Sequence, residues 1–134
     1  MSNWTHVAGI IRVDAFRLEN ALVPNWDEVF GKELLYGESY DKWKEANEHP
    51  ELYLPIGSEG SLQKSVWVNS DKSNITSYVV SIFGDLRDHD SSDEIVEWFK
   101  EKCNVVNTRQ ATIVVTNGFG GSKVWSYSFG EELK

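Results

Sequence analysis

Asp85, Asp88, His89, Asp90 and Asp93 crowd the segment GDLRDHDSSDE over residues 84–94. Carboxylates and an imidazole are the donors a metal ion takes, and the D-x-x-D-x-D spacing has the outline of a calcium loop. An EF-hand loop also needs glycine at its sixth position and a bidentate Glu at its twelfth, and neither is in register here. Acidic residues also gather before a helix for a plainer reason, because they stabilise its positive N-terminal end. Arg87 within the cluster offsets part of the mutual repulsion. The expectation is a capped loop, with no metal and no cofactor.

A second stretch, TNGFGGSKVWSYS over 116–128, places Gly118, Gly120 and Gly121 ahead of Lys123. A phosphate-binding loop needs a strand, then glycines whose N–H groups face the anion, then a helix. The residues after these glycines alternate as a strand and carry no helical period. Neither the dinucleotide fingerprint nor the Lys-Ser/Thr ending of a P-loop is present. The glycines instead suit the positive φ angles of a tight hairpin. Phe119 then sits at the tip as an exposed apolar contact.

The remaining reactive side chains are sparse. No two of His6, His49 and His89 fall at i and i+4, so there is no HExxH helix. Cys103, the single cysteine, falls on the inner side of a predicted helix, where a free cysteine usually behaves as a small buried hydrophobe. No GxSxG elbow occurs. An enzyme built on this chain would take His6, Asp14, Asp85 and His89 as its acid–base candidates, in a site at a dimer interface. No spacing joins these four.

Aromatic residues are the richer signal. They make up 13% of the chain, with six Trp, more than so small a core needs. Trp67, Tyr78, Trp125 and Tyr127 fall on predicted strands, and on a shared sheet face they would form a stacking platform extended by Phe119. Arg12 and Lys123, with Arg87 and Arg109, could meet a phosphate or carboxylate beside it. RRM proteins stack single-stranded RNA on such a sheet, but the Lys/Arg-Gly-Phe/Tyr pattern of RNP1 is missing.

The elements that must position these residues follow from periodicity. Residues 4–16 alternate as a strand, with Val7, Gly9, Ile11 and Val13 on one face and His6, Ala8, Ile10, Arg12 and Asp14 on the other. Asn25 and Glu28 form a capping box for a helix over WDEVFGKELL, with Trp26, Val29, Phe30 and Leu34 as its apolar stripe. Residues 36–60 form an irregular insertion broken by Pro50, Pro55, Gly57 and Gly60, with a short helix over SYDKWKEANEH. Strands over 61–69 and 75–85 make a hairpin. Ser91 and Glu94 cap a helix with Ile95, Trp98, Phe99 and Cys103 along one side. Strands over 109–117 and 123–129 complete the chain. The order βαββαβ is the ferredoxin-like pattern: an antiparallel α+β sheet with two helices on one face, here with an extra C-terminal hairpin strand. The 134 residues suit a single domain spanning 1–134.

Charge narrows the functional classes. The net charge is −8 and the sequence pI about 4.8, with no basic run, so nucleic acid is disfavoured as a partner. The N-terminal residues lack the basic and apolar regions of a signal peptide, and no window approaches a membrane span, so a cytoplasmic protein without a membrane partner is expected. The expected function is a non-catalytic acidic binding protein acting on a protein partner or by homo-oligomerisation. By analogy with phage-encoded counter-defence proteins, one form of this is an inhibitor of a basic, nucleic-acid-handling surface. The alternatives are a small-ligand binder that sequesters a nucleotide-like molecule, and a small enzyme.

Overall fold

A computed structural model describes residues 3–16, 25–69, 75–89, 92–118 and 121–128. Phe119 and the Ser91 half of the second capping box lie outside the described residues, as do Asp90 and Phe129. The protein is an α+β structure: a five-stranded antiparallel sheet, a two-stranded hairpin and three helices.

Strand β1 (Trp4–Phe16) is the centre of the sheet. It pairs along its whole length with β5 (Ile75–Arg87) and on its other edge with β6 (Thr108–Asn117). Strand β4 (Gln63–Asn69) joins the free edge of β5, and β7 (Gly121–Ser128) joins β6. The order across the sheet is β4-β5-β1-β6-β7. The glycine stretch is therefore a hairpin, closed by the pairing of Asn117 with Gly121, whose φ is 77°.

Period-two alternation decides what is buried. Thr5, Val7, Ile11 and Val13 of β1, Tyr78, Val80, Ile82 and Leu86 of β5, and Ala111, Ile113 and Val115 of β6 all turn inward. Helix α3 (Ser92–Val105) covers them with Ile95, Phe99 and Cys103. Helix α1 (Trp26–Phe30) adds Phe30, with Trp26 stacked on Phe30 and edge-on to Tyr78.

Helix α1 is shorter than its apolar stripe predicts. Asn25 Oδ1 accepts from the N–H groups of Asp27 and Glu28 as a cap should, but the helix stops at Phe30. Gly31 takes φ 112°, and a Cβ there would lie 2.4 Å from the carbonyl carbon of Tyr53. The chain leaves the helix to run against residues 52–54, where Lys32 N–H donates to Leu52 and Leu54 N–H donates to Lys32. Leu34, expected on the helix stripe, belongs instead to a satellite cluster with Ala46 and Tyr53.

The 36–60 segment holds more regular structure than its breakers suggest. Helix α2 (Tyr40–Glu48) is capped by Ser39, whose hydroxyl accepts from Lys42 N–H. A 3-10 turn (Pro50–Leu52) follows, then a hairpin of β2 (Ile56–Gly57) and β3 (Gly60–Ser61). The hairpin abuts the end of β5, where Ser58 N–H donates to the Arg87 carbonyl.

Candidate interaction surface

Among the described residues, no helix lies over the sheet face opposite α1 and α3. Directly paired residues share a face, so the registers lay out its rows. Trp67, Val79, Arg12, Gln110 and Ser128's neighbourhood form one row across the five strands. Ser65, Ser81, Ile10, Thr112 and Ser126 form the next. Gln63, Phe83, Ala8, Val114 and Val124 form a third, and Asp85, His6, Thr116 and Ser122 a fourth. Trp4, beside Arg87, lies beyond them.

Among the described residues, six large apolar side chains on this face are exposed: Trp4, Ile10, Trp67, Phe83, Val114 and Val124, with the β6 and β7 valines at 38% and 67%. Ile10, Phe83, Val114 and Val124 fall in the two middle rows. The charged groups lie toward the ends. His6 Nδ1 and Asp85 Oδ1 are 2.6 Å apart and both exposed. Asp14 accepts from Arg109 at 2.9 Å and from the Ser77 hydroxyl at 3.2 Å. Arg12 is half-buried beside a shallow basin of about 310 Å³ lined by Ile10, Val79, Gln110 and Thr112.

The predicted aromatic platform is divided between the two faces. Trp67 stands on the open face, 57% exposed, and Arg12 shares its row. Tyr78 points the other way and is buried in the core. Trp125 and Tyr127 pair with Ile113 and Ala111, which places them on the helix side. Trp125 is half-buried there, edge-on to Phe99 with ring centres 5.9 Å apart and with the Lys100 ammonium 5.9 Å from its centre. Lys123 is on the helix side too, with Nζ 2.6 Å from Asp93 Oδ1. The true companions of Trp67 are Ile10, Phe83, Val114 and Val124. Their signal was the alternate set of each strand, which becomes a shared surface only once the registers are known.

The acid–base candidates also separate. His6 and Asp85 meet on the open face, and Asp14 lies at its other end. His89 sits elsewhere, lining a groove of about 570 Å³ with Trp43, Ala46, Leu54, Ile56 and Ser58. Its Nδ1 is buried without a hydrogen-bond partner among the described residues, and its Nε2 is 4.0 Å from Glu94 Oε2. Among the described residues no three His, Cys, Asp or Glu side chains group so as to hold a metal ion.

Cys103 is buried, and burial pushes its thiol up to about 12, against a smaller opposing effect of its hydrogen bond with Thr108. A thiol held protonated is a poor nucleophile. In the satellite cluster the Tyr53 hydroxyl donates to Glu45 Oε1 at 2.9 Å. Burial, then this bond, raises the Tyr53 phenol; the same bond, then Lys32, lowers the Glu45 carboxyl.

No helix among the described residues is long and apolar enough to cross a membrane. No protein-family model matches the chain, and no curated protein or solved structure matches it significantly.

Proposed function

We propose that this is a non-catalytic interaction protein whose working surface is the open face of the sheet, and that it associates first with itself. The observation that carries this is the set of exposed apolar side chains on the face that none of the described helices covers. Contiguous apolar patches of this kind are uncommon on a surface that faces only water. The chain's charge of −8 makes two copies repel, so self-association needs a contact face that is locally balanced. The open face meets that need, with Arg12 and Arg87 set against Asp14 and Asp85. The acidic remainder of the surface would steer a basic partner toward an assembled protein, consistent with an inhibitory role.

A ferredoxin-like arrangement suits this use. Strands β1 and β4 both run antiparallel to β5, and β5 and β6 both run antiparallel to β1. Strands β1 and β4 thus run parallel with α1 in their connection, and β5 and β6 with α3 in theirs, which supports the ferredoxin-like reading. Strand β7 extends the β6 edge.

The test is sedimentation velocity over a concentration series. Phe83→Glu should leave the fold intact and shift the protein to monomer. Val105→Glu, on the exposed end of α3, should change nothing. Equal association of both variants and the parent protein would refute the proposal.

A second reading, capture of a small ligand, has one specific observation behind it: the unpartnered His89 Nδ1 beside the Trp43 groove. Native mass spectrometry of protein recovered from its source would show a retained mass of a few hundred daltons, lost in His89→Ala, if the groove is used in this way.

A further inference from the structure

The four rows of the open face have a symmetry that a second copy can use. Ile10 and Ala8 occupy the two middle rows on β1, with Phe83, Val114 and Val124 around them. Arg12 lies one row beyond Ile10. His6 and its neighbour Asp85 lie one row beyond Ala8. At about 6.8 Å for two residues of strand, the Arg12 and Asp85 rows stand about 10 Å either side of the midline.

Arg12 is conspicuous among the described cations of the five-stranded sheet. Lys64, Arg87, Arg109 and Lys123 each sit on a carboxylate, whereas Arg12 makes no ion pair with any described residue. Its basin leaves room for an incoming group, and Gln110 borders it. Asp85 has the complementary position. Its Oδ1 is engaged by His6, but the side chain is 61% exposed and Oδ2 can accept another donor.

Resting on the self-association reading above, we infer that two copies pack open face to open face about a two-fold axis across the strands, between the Ile10 and Ala8 rows, so that Arg12 of each copy pairs with Asp85 of the other. A two-fold contact is self-complementary, so one pair at one end implies the second at the other. Rotation about this axis carries each Arg12 row onto an Asp85 row and leaves the apolar rows facing one another. Packed sheets cross at about 30°, which displaces the row ends by roughly one strand spacing. That displacement is within reach of an arginine side chain and moves Arg12 off the partner's β1 toward a flanking strand; β5, which carries Asp85, is one of these. The face is about 20 Å by 25 Å from strand spacing and rise, of the same order as one side of a standard interface. Two closely matched charge pairs at its ends would set the register of an otherwise non-directional apolar contact.

The experiment is sedimentation equilibrium at low ionic strength on the parent protein, Arg12→Asp, Asp85→Arg and the double variant. Each single reversal places like charges together and should weaken dimerisation by about tenfold or more. The double variant should return to near the parent value, because the swapped pair is restored in both halves of the interface. His6→Gln controls for the pair that Asp85→Arg also breaks, and should dimerise as the parent does. If a reversal variant is poorly folded by circular dichroism, Arg12→Gln and Asp85→Asn replace the two reversals, and the energetic coupling between them carries the test. A parent protein that stays monomeric overturns the self-association reading itself. A dimer indifferent to Arg12→Asp, or a double variant no tighter than the weaker single, overturns the Arg12–Asp85 geometry alone. A heteromeric partner that displaces the dimer only when Arg12 is present would assign the basin to that partner and likewise overturn the two-fold pairing.

Discussion

The two faces of the central strand are built from alternate residues of one sequence, yet they obey different rules. Val7, Ile11 and Val13 of β1 lie beneath Phe99 and the rest of α3 and are at most 5% exposed. One residue away, Ile10 is 44% exposed and Ala8 and His6 face outward. On the helix side, apolar side chains are held by close packing within the chain. On the open side, residues of the same kind have neighbours in their own strands and none of the described helices above them. Helix-side residues therefore set folding stability, and on the proposed reading open-face residues set association.

Substitutions on the two faces should separate these effects. The largest is Phe99→Ala, which removes a fully buried ring and should cost about 3–5 kcal/mol of unfolding free energy by urea titration. Comparable truncation of Phe83 on the open face should cost far less stability. Gly9→Ala comes next. A Cβ at Gly9 would lie 3.0 Å from Phe99 Cε1 and 3.3 Å from Ile113 Cγ1, an overpacking worth about 1–3 kcal/mol. Ala8→Ser, one residue along and facing outward, should stay within about 0.5 kcal/mol of the parent protein.

Tryptophan gives the sharpest contrast. Trp125→Ala should lower stability by about 2 kcal/mol through lost packing on Phe99, with the association constant unchanged. Trp67→Ala should do the reverse, weakening association by about 2 kcal/mol at nearly constant stability. Parallel urea and sedimentation measurements on both variants check the pair.

The last effect is confined to alkaline pH. The folded Cys103 thiol keeps its proton to about 12, whereas in the unfolded chain it titrates near its ordinary value of 9.0. Ionisation of this thiol therefore leaves stability unaffected well below pH 9 and lowers it as pH rises from there toward 12. Tyr53, whose phenol is also raised, adds to the decline above pH 10. Cys103→Ala should flatten the lower part of that slope in a series of urea titrations, whatever its effect on stability at neutral pH.

Much of the secondary structure was legible from alternation and caps. The β1 faces, the hairpin at Gly121 and the Cys103 side of α3 could be read directly. The candidate surface was not, because aromatic character says nothing about parity between strands. Trp67 faces outward because it pairs with Val79, and Trp125 faces inward because it pairs with Ile113. Such registers depend on turn lengths and on the irregularity in the β1–β6 pairing, where Arg12 pairs with Gln110 but Val13 with Thr108. Gly31 misled in another way, since it lies inside the stretch WDEVFGKELL that reads as one helix and its close approach to Tyr53 leaves no trace in the periodicity. The two-residue strands β2 and β3 are too short to leave any periodicity.

The six tryptophans supply the most direct measurement. Trp4 and Trp67 lie on the open face, Trp26, Trp98 and Trp125 pack with the helix-side core, and Trp43 belongs to the satellite cluster. Fluorine NMR of the 5-fluorotryptophan-labelled protein, with each signal assigned by substitution, reads all of these sites as concentration is raised. Association through the open face should shift the Trp67 resonance and, more weakly, that of Trp4, while the Trp125, Trp98 and Trp26 signals stay in place. Concentration-dependent movement of Trp125 or Trp43 with a stationary Trp67 would contradict the assignment of the open face as the working surface.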